Sequence, residues 1–167
     1  MFESGYNRRV RPNNGGGPVE VNVNLAIRSM GPVDEMNEVY SLDCYFRQTW
    51  MDKRLRYLYS RETSSIKEFN FSYNTSGLNE LALNWAFLAK IWVPDTFFVN
   101  GKQSFLHKIT VPNRFVRITP DGTVSYSQRL TLAAGCSMNL VKFPLDSQKC
   151  KLEIGSFGYT AKDVVYR

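Results

Sequence analysis

The sequence predicts an all-β fold, a sandwich or barrel of short strands. Three observations carry that expectation. Residues 19–27, VEVNVNLAI, alternate strictly between apolar and polar positions. Residues 40–50, YSLDCYFRQTW, alternate in the same way. Residues 114–132 hold two β-prone runs around Pro120-Asp121-Gly122, the composition of a hairpin turn. A period of two belongs to a strand with one buried face.

The elements follow in order along the chain. Residues 2–9 read as the end of a short helix stopped before Pro12. RPNNGGGP at 11–18 is a loop. In the first strand Val19, Val21, Val23, Leu25 and Ile27 share one face, with Glu20, Asn22 and Asn24 on the other. In the second, Tyr40, Leu42, Cys44, Phe46 and Trp50 face inward, while Ser41, Asp43, Tyr45, Arg47 and Thr49 face outward. Residues 76–92 suit a helix by composition and stay ambiguous between helix and strand. In the second arm of the hairpin Tyr126, Leu130 and Leu132 point one way; Ser125, Ser127, Arg129 and Thr131 point the other. Residues 149–157, KCKLEIGSF, supply one more strand. There is no internal repeat.

A chain of 167 residues fits one domain, and 43% hydrophobic with 14% aromatic content can build its core. The formal charge is +6, from 21 Lys+Arg against 15 Asp+Glu. The densest basic stretch is only NRRVRP at 7–12, so nucleic acid is not an expected partner. No apolar run approaches the roughly 18 residues of a membrane span. Met1 is followed by FESGYNRRV, which lacks the apolar segment of a signal peptide. The last residues, DVVYR, stop within a strand-like run, the pattern of a piece of something longer. No cofactor or metal site is expected, because the chain has 1 His, His107, and no ligand cluster. An enzyme is not expected either. The best nucleophile and base are Cys44 and His107, and Cys44 has core parity.

The 3 cysteines permit three single disulfides. Cys44 falls on the buried face, where a thiol acts as a small hydrophobe. Cys136 and Cys150 enclose a short loop, CSMNLVKFPLDSQKC. A disulfide there is expected, with about 3 kcal/mol of stabilisation from loop closure. It implies an oxidising compartment and the secretory pathway. Asn70 (NFS) and Asn74 (NTS) are glycosylation acceptors by pattern and agree with that compartment.

These motifs together resemble the Cys-loop, or pentameric, ligand-gated ion channels. The Cys-x13-Cys loop with Phe143-Pro144-Leu145-Asp146 resembles the family's signature. YSLDCYFRQTW resembles its loop D, WVPDTFFVNGKQS at 92–104 its loop A, DGTVSYSQRLTL its loop E, and LEIGSFGYT at 152–160 its loop B. The wording is most similar to type A GABA receptor subunits. The resemblance implies a twisted, immunoglobulin-like β-sandwich with a short N-terminal helix. It implies that residues 1–167 are one extracellular ligand-binding domain, incomplete at its C-terminal end, without loop C and the membrane helices. Transmitter would bind between neighbouring domains of a pentamer, expected to be heteromeric, at the postsynaptic plasma membrane. The pore of this subfamily passes chloride.

The resemblance also assigns roles. Tyr45, Arg47, Ser127 and Arg129 match the complementary face, where a guanidinium can grip the carboxylate of GABA or a similar amino-acid transmitter by two charged hydrogen bonds. Phe97 and Phe157, with Ser156 beside the latter, match the principal face, where aromatics can surround an ammonium. Gly155 stands where GABA-binding principal faces carry an acid, so the chain resembles α-type subunits. Val99 stands where many α-type subunits carry the histidine that benzodiazepines need. Phe143, Pro144, Leu145 and Asp146 match the foot that couples binding to the pore; the family's proline there is typically cis. Their tip is expected to be exposed or poorly ordered here. A soluble pentameric binding protein without a pore, or a subunit for another transmitter such as glycine, is the alternative. An adhesion-type sandwich is disfavoured, because a Cys pair 14 positions apart closes a local loop and does not bridge two sheets.

Overall fold

The computed structural model describes residues 5–57, 64–66, 71–73 and 80–167. Eleven strands are present among them: β1 Val19–Asp34, β2 Val39–Met51, β3 Ser64–Ile66, β4 Phe71–Tyr73, β5 Leu81–Leu83, β6 Thr96–Phe98, β7 Phe105–Leu106, β8 Arg114–Ile118, β9 Thr123–Gly135, β10 Ile154–Ser156 and β11 Val164–Tyr166. The main sheet has the order β11-β1-β2-β9-β8-β5, and β7 also pairs with β9. Only β1–β11 is parallel within it. A second, two-stranded sheet joins β6 to β10, and β3 pairs with β4.

The long strands obey the alternation read from the sequence. Tyr40, Leu42, Cys44, Phe46 and Trp50 are all buried. So are Tyr126, Leu130 and Leu132 on the facing stretch of β9. The two strands run antiparallel in continuous register from Val39↔Gly135 to Met51↔Thr123, which stacks their buried faces side by side. Two apolar clusters result. One gathers Val19, Val21, Trp50, Trp92, Val116 and Ile118, with the two indoles edge to face at 6.0 Å. The other gathers Leu42, Cys44, Phe46, Leu130 and Leu132. Phe46 meets Phe98 edge to face at 5.3 Å, which seats the small sheet on the inner face of the large one.

The hairpin expected at Pro120-Asp121-Gly122 joins β8 to β9. Gly122 has φ +88°, and a Cβ there would lie 2.5 Å from the Asp52 carbonyl oxygen. Both facts demand glycine. Asp121 accepts from the Thr123 amide at 3.1 Å and its hydroxyl at 2.8 Å. Together with the Thr119 hydroxyl these bonds hold the Asp121 carboxyl below the usual carboxylate range.

Four expectations change. The alternation of β1 is correct, but its burial fades along the strand, and Ile27 is 58% exposed. Register shifts at Ile27/Ser29 and Met30/Val33 break the ladder there, and Ile27, Met30 and Val33 line an open groove with Met138, Leu140 and Phe143 of the 136–150 loop. The short helix at 2–9 is absent from its described part: Gly5–Asn7 is irregular and Arg8–Val10 forms a turn. Gly5 has φ +54°, and the Asn7 side chain accepts from the Arg9 amide at 2.9 Å, a turn that competes with helix. The ambiguous 76–92 stretch resolves, where described, into β5 and a 3-10 helix, Trp85–Ala89, capped by the Asn84 side chain. The strand expected over 149–157 is only Ile154–Ser156. Side chains take over the ladder's role before it. Asn100 donates to the Lys151 carbonyl at 2.8 Å and accepts from the Glu153 amide at 3.0 Å, and the Tyr40 hydroxyl donates to the Lys151 carbonyl at 3.0 Å.

Candidate ligand-binding faces

Four of the expected site residues meet on the outer face of the main sheet. The β2–β9 register places Arg47 opposite Ser127 and Tyr45 opposite Arg129. Alternation turns all four away from the core, because Cys44, Phe46 and Leu130 between them are buried. Directly paired residues stand roughly 5 Å apart at Cβ, and the diagonal pair Arg47 and Arg129 roughly 7–8 Å apart. Both guanidinium groups can therefore reach one small anion. Ser127 is only 7% exposed, so it forms the floor of the patch. The Arg47 side chain is exposed, and no ion pair or hydrogen bond ties it to a described residue.

Arg129 is differently placed. Its Nε donates to Asp43 Oδ1 at 3.1 Å and its Nη2 to Asp43 Oδ2 at 2.6 Å. The pair raises the arginine's pKa and holds the Asp43 carboxyl below the ordinary carboxylate range. Arg28 reaches the same carboxylate at 3.5 Å and lies over the Tyr45 ring, 5.6 Å from its centroid. Asp43 was legible only as an outward position of β2; its parity with Tyr45 and Arg47 is the signal that points to it. His107, the chain's one histidine, sits beside this network with Nε2 2.8 Å from Thr131 Oγ1, and Thr131 is the cross-strand partner of Asp43.

The aromatic pair lies elsewhere. Phe97 and Phe157 meet edge to face at 5.7 Å, and both are open to solvent, Phe157 at 84%. Gly155 pairs with Phe97 across the small sheet. A Cβ on Gly155 would meet Val99 and Phe97 at ordinary contact distances of 3.5 and 3.6 Å, so glycine is not required there by space. The Ser156 hydroxyl is engaged within the loop: it donates to Asp95 at 2.5 Å and accepts from the Tyr159 amide at 2.8 Å. Phe98 and Phe46 touch in the core, so their neighbours Phe97 and Tyr45 project from opposite outer faces. The domain does not bring its arginines and its aromatic pair together.

The third feature is the disulfide-closed loop. Cys136 and Cys150 are bonded with their Cα atoms 5.3 Å apart, and Cys44 is free and buried. Desolvation pushes the Cys44 thiol up to about 11. Within the loop the Phe143–Pro144 peptide is cis. Phe143 and Leu145 are exposed, Leu145 at 91%, so the tip is in solvent as expected. It is also ordered by local bonds: the Phe143 amide to the Leu140 carbonyl at 3.0 Å, and the Leu145 amide to the Lys142 carbonyl at 2.8 Å. Gln148 donates to Asp146 and to the Asn139 carbonyl, so Asp146 is tied into the loop. Asn70 and Asn74 lie outside the described residues. Among the described residues no group of three or more His, Cys, Asp or Glu is placed to hold a metal, and no helix is long and apolar enough to cross a membrane.

A strand-built sandwich with an arginine-rich outer face, an exposed aromatic pair on the opposite face and a disulfide-closed loop defines a ligand-binding module. The chain belongs to the neurotransmitter-gated ion-channel ligand binding domain family, whose model matches residues 1–167. Its relatives include the gamma-aminobutyric acid receptor alpha-like protein of Drosophila melanogaster, 52% identical over 98% of this chain. Gamma-aminobutyric acid receptor subunit beta-4 of Gallus gallus and subunit theta of Mus musculus are each 44% identical over 97% of it. The chain spans 21%, 30% and 23% of the lengths of these three proteins.

Proposed function

We propose that this chain is the extracellular ligand-binding domain of a GABA-gated chloride channel subunit, and that it gives mainly the complementary face of an agonist site between subunits. The observation that carries this reading is the patch of Arg47, Ser127, Tyr45 and Arg129 in direct cross-strand pairs. Two guanidinium groups, a hydroxyl floor and a phenol wall suit the carboxylate of a small amino acid. The names of the relatives point to GABA as that amino acid. The aromatic pair lies on the opposite outer face, and the position paired with Phe97 is Gly155, where the resemblance places an acid on GABA-binding principal faces. A complete site then needs the aromatic face of a neighbouring homologous subunit, as in a heteromeric pentamer. The disulfide-closed loop, with Phe143 and Leu145 exposed, serves as the foot that passes ligand-induced motion to a membrane domain. The disulfide and the two sequons fit an extracellular position at the plasma membrane.

The test is to express the full-length subunit alone and with β-type partners and to record agonist-evoked currents. GABA-evoked currents from the mixed assembly, lost or strongly shifted by Arg47→Ala, support the reading. Wild-type responses to Arg47→Ala and Arg129→Ala channels sink the site assignment. Robust GABA currents from this subunit alone sink the restriction to the complementary face.

A further inference from the structure

We propose that Asp43 is a positioning residue of the carboxylate-binding face, holding Arg129 by one edge so that its other edge and Arg47 converge on the same anion. The proposal rests on the reading of that face given above. A guanidinium carries five N–H donors in a fixed plane. Asp43 engages the Nε–H and one Nη2–H, at 3.1 and 2.6 Å. The Nη1 hydrogens and the remaining Nη2 hydrogen form a second, end-on fork with no described partner, the geometry for a second bidentate carboxylate.

The charges support this division of labour. Arg28, Arg47 and Arg129 contribute three positive charges and Asp43 one negative, which leaves the patch at +2. Without Asp43 three arginines would crowd one face, and no described residue would fix the orientation of the Arg129 guanidinium. Asp43 does not compete for Arg47. It lies four positions away on the same face of β2, about 13 Å along the strand at roughly 3.3 Å per residue. The same carboxylate also meets Arg28, which lies over Tyr45. One acid therefore orients the second arginine directly and steadies the aromatic wall through Arg28. A surface ion pair contributes little to stability by itself. The expected consequence is consequently on agonist recognition, not on folding.

The experiment is a double-mutant cycle in the full-length subunit assembled with its β-type partner, with GABA as the probe and surface labelling as the control for assembly. Asp43→Asn should raise the half-maximal GABA concentration about 10-fold, the size of one lost charge-assisted contact, at unchanged surface level. Asp43→Glu should recover most of that loss. In the Arg129→Ala background Asp43→Asn should add no further shift. An unchanged GABA response in Asp43→Asn, or a shift that adds in full to that of Arg129→Ala, overturns the proposal while the GABA reading stands through Arg47→Ala. If the wild-type assembly gives no GABA current, the reading of the face fails and takes the proposal with it. Should Asp43→Asn not reach the surface, Asp43→Ser runs the same cycle with the same two outcomes.

Discussion

Arg47 stands directly across from Ser127 in the β2–β9 ladder, one same-face position from Arg129. That single register relationship makes two arginines distant in sequence into neighbours. A slip by one residue would send one of them into the core.

The first prediction concerns Arg47, which has no ion-pair partner among the described residues. Arg47→Ala should raise the half-maximal agonist concentration by about 10- to 100-fold, the loss of a charged hydrogen bond worth about 1.5–3 kcal/mol. Arg47→Lys should recover only part of it, because an ammonium cannot form the fork. Concentration–response curves measure both.

The core junction gives a second prediction. Phe46 is almost fully buried and is the ring on which Phe98 of the small sheet rests. Phe46→Ala should destabilise the domain by about 3–5 kcal/mol, read from a denaturation curve. A loss under 1 kcal/mol would show that the two sheets do not depend on this contact.

Reduction of the disulfide tests the loop. Opening Cys136–Cys150, or Cys136→Ser, should cost about 3 kcal/mol and lower the thermal midpoint. The loop's local hydrogen bonds should not compensate, since they lie on an exposed tip.

Cys44 provides the pH prediction. Burial raises its thiol to about 11, so it stays neutral through pH 9. A maleimide at pH 8 should leave Cys44 unmodified in the native protein and label it after denaturation. The sign for stability follows. The folded pKa lies above the unfolded value of about 8.5, so burial contributes in full below that value, and the contribution fades as pH rises toward 11. Fast labelling of native protein at pH 8 contradicts the burial.

Much of the fold is legible along the chain because the two longest paired strands carry a strict period of two. Cys44, Phe46, Trp50, Leu130 and Leu132 are buried where alternation places them. The Pro120-Asp121-Gly122 turn is equally legible, since only glycine tolerates its φ. Ile27 was not, because burial depends on what lies above a face, and periodicity reports only which face it is. The 149–157 stretch was misread for a related reason. Its backbone groups are met by the side chains of Asn100 and Tyr40, which are far away in sequence.

The sequence by itself determined the strand alternation, the turn and the family motifs, because these are local patterns set by backbone geometry and side-chain polarity. Tertiary structure decided which of those residues stand together. It placed Arg47, Ser127, Tyr45 and Arg129 on one patch through the register of β2 against β9. It set Phe97 and Phe157 on the opposite outer face, because Phe98 packs against Phe46. It also tied Arg129 to Asp43, a partner 86 positions away. Pairing register and sheet stacking are long-range outcomes of burying both inner faces at once, and no local stretch of sequence contains them.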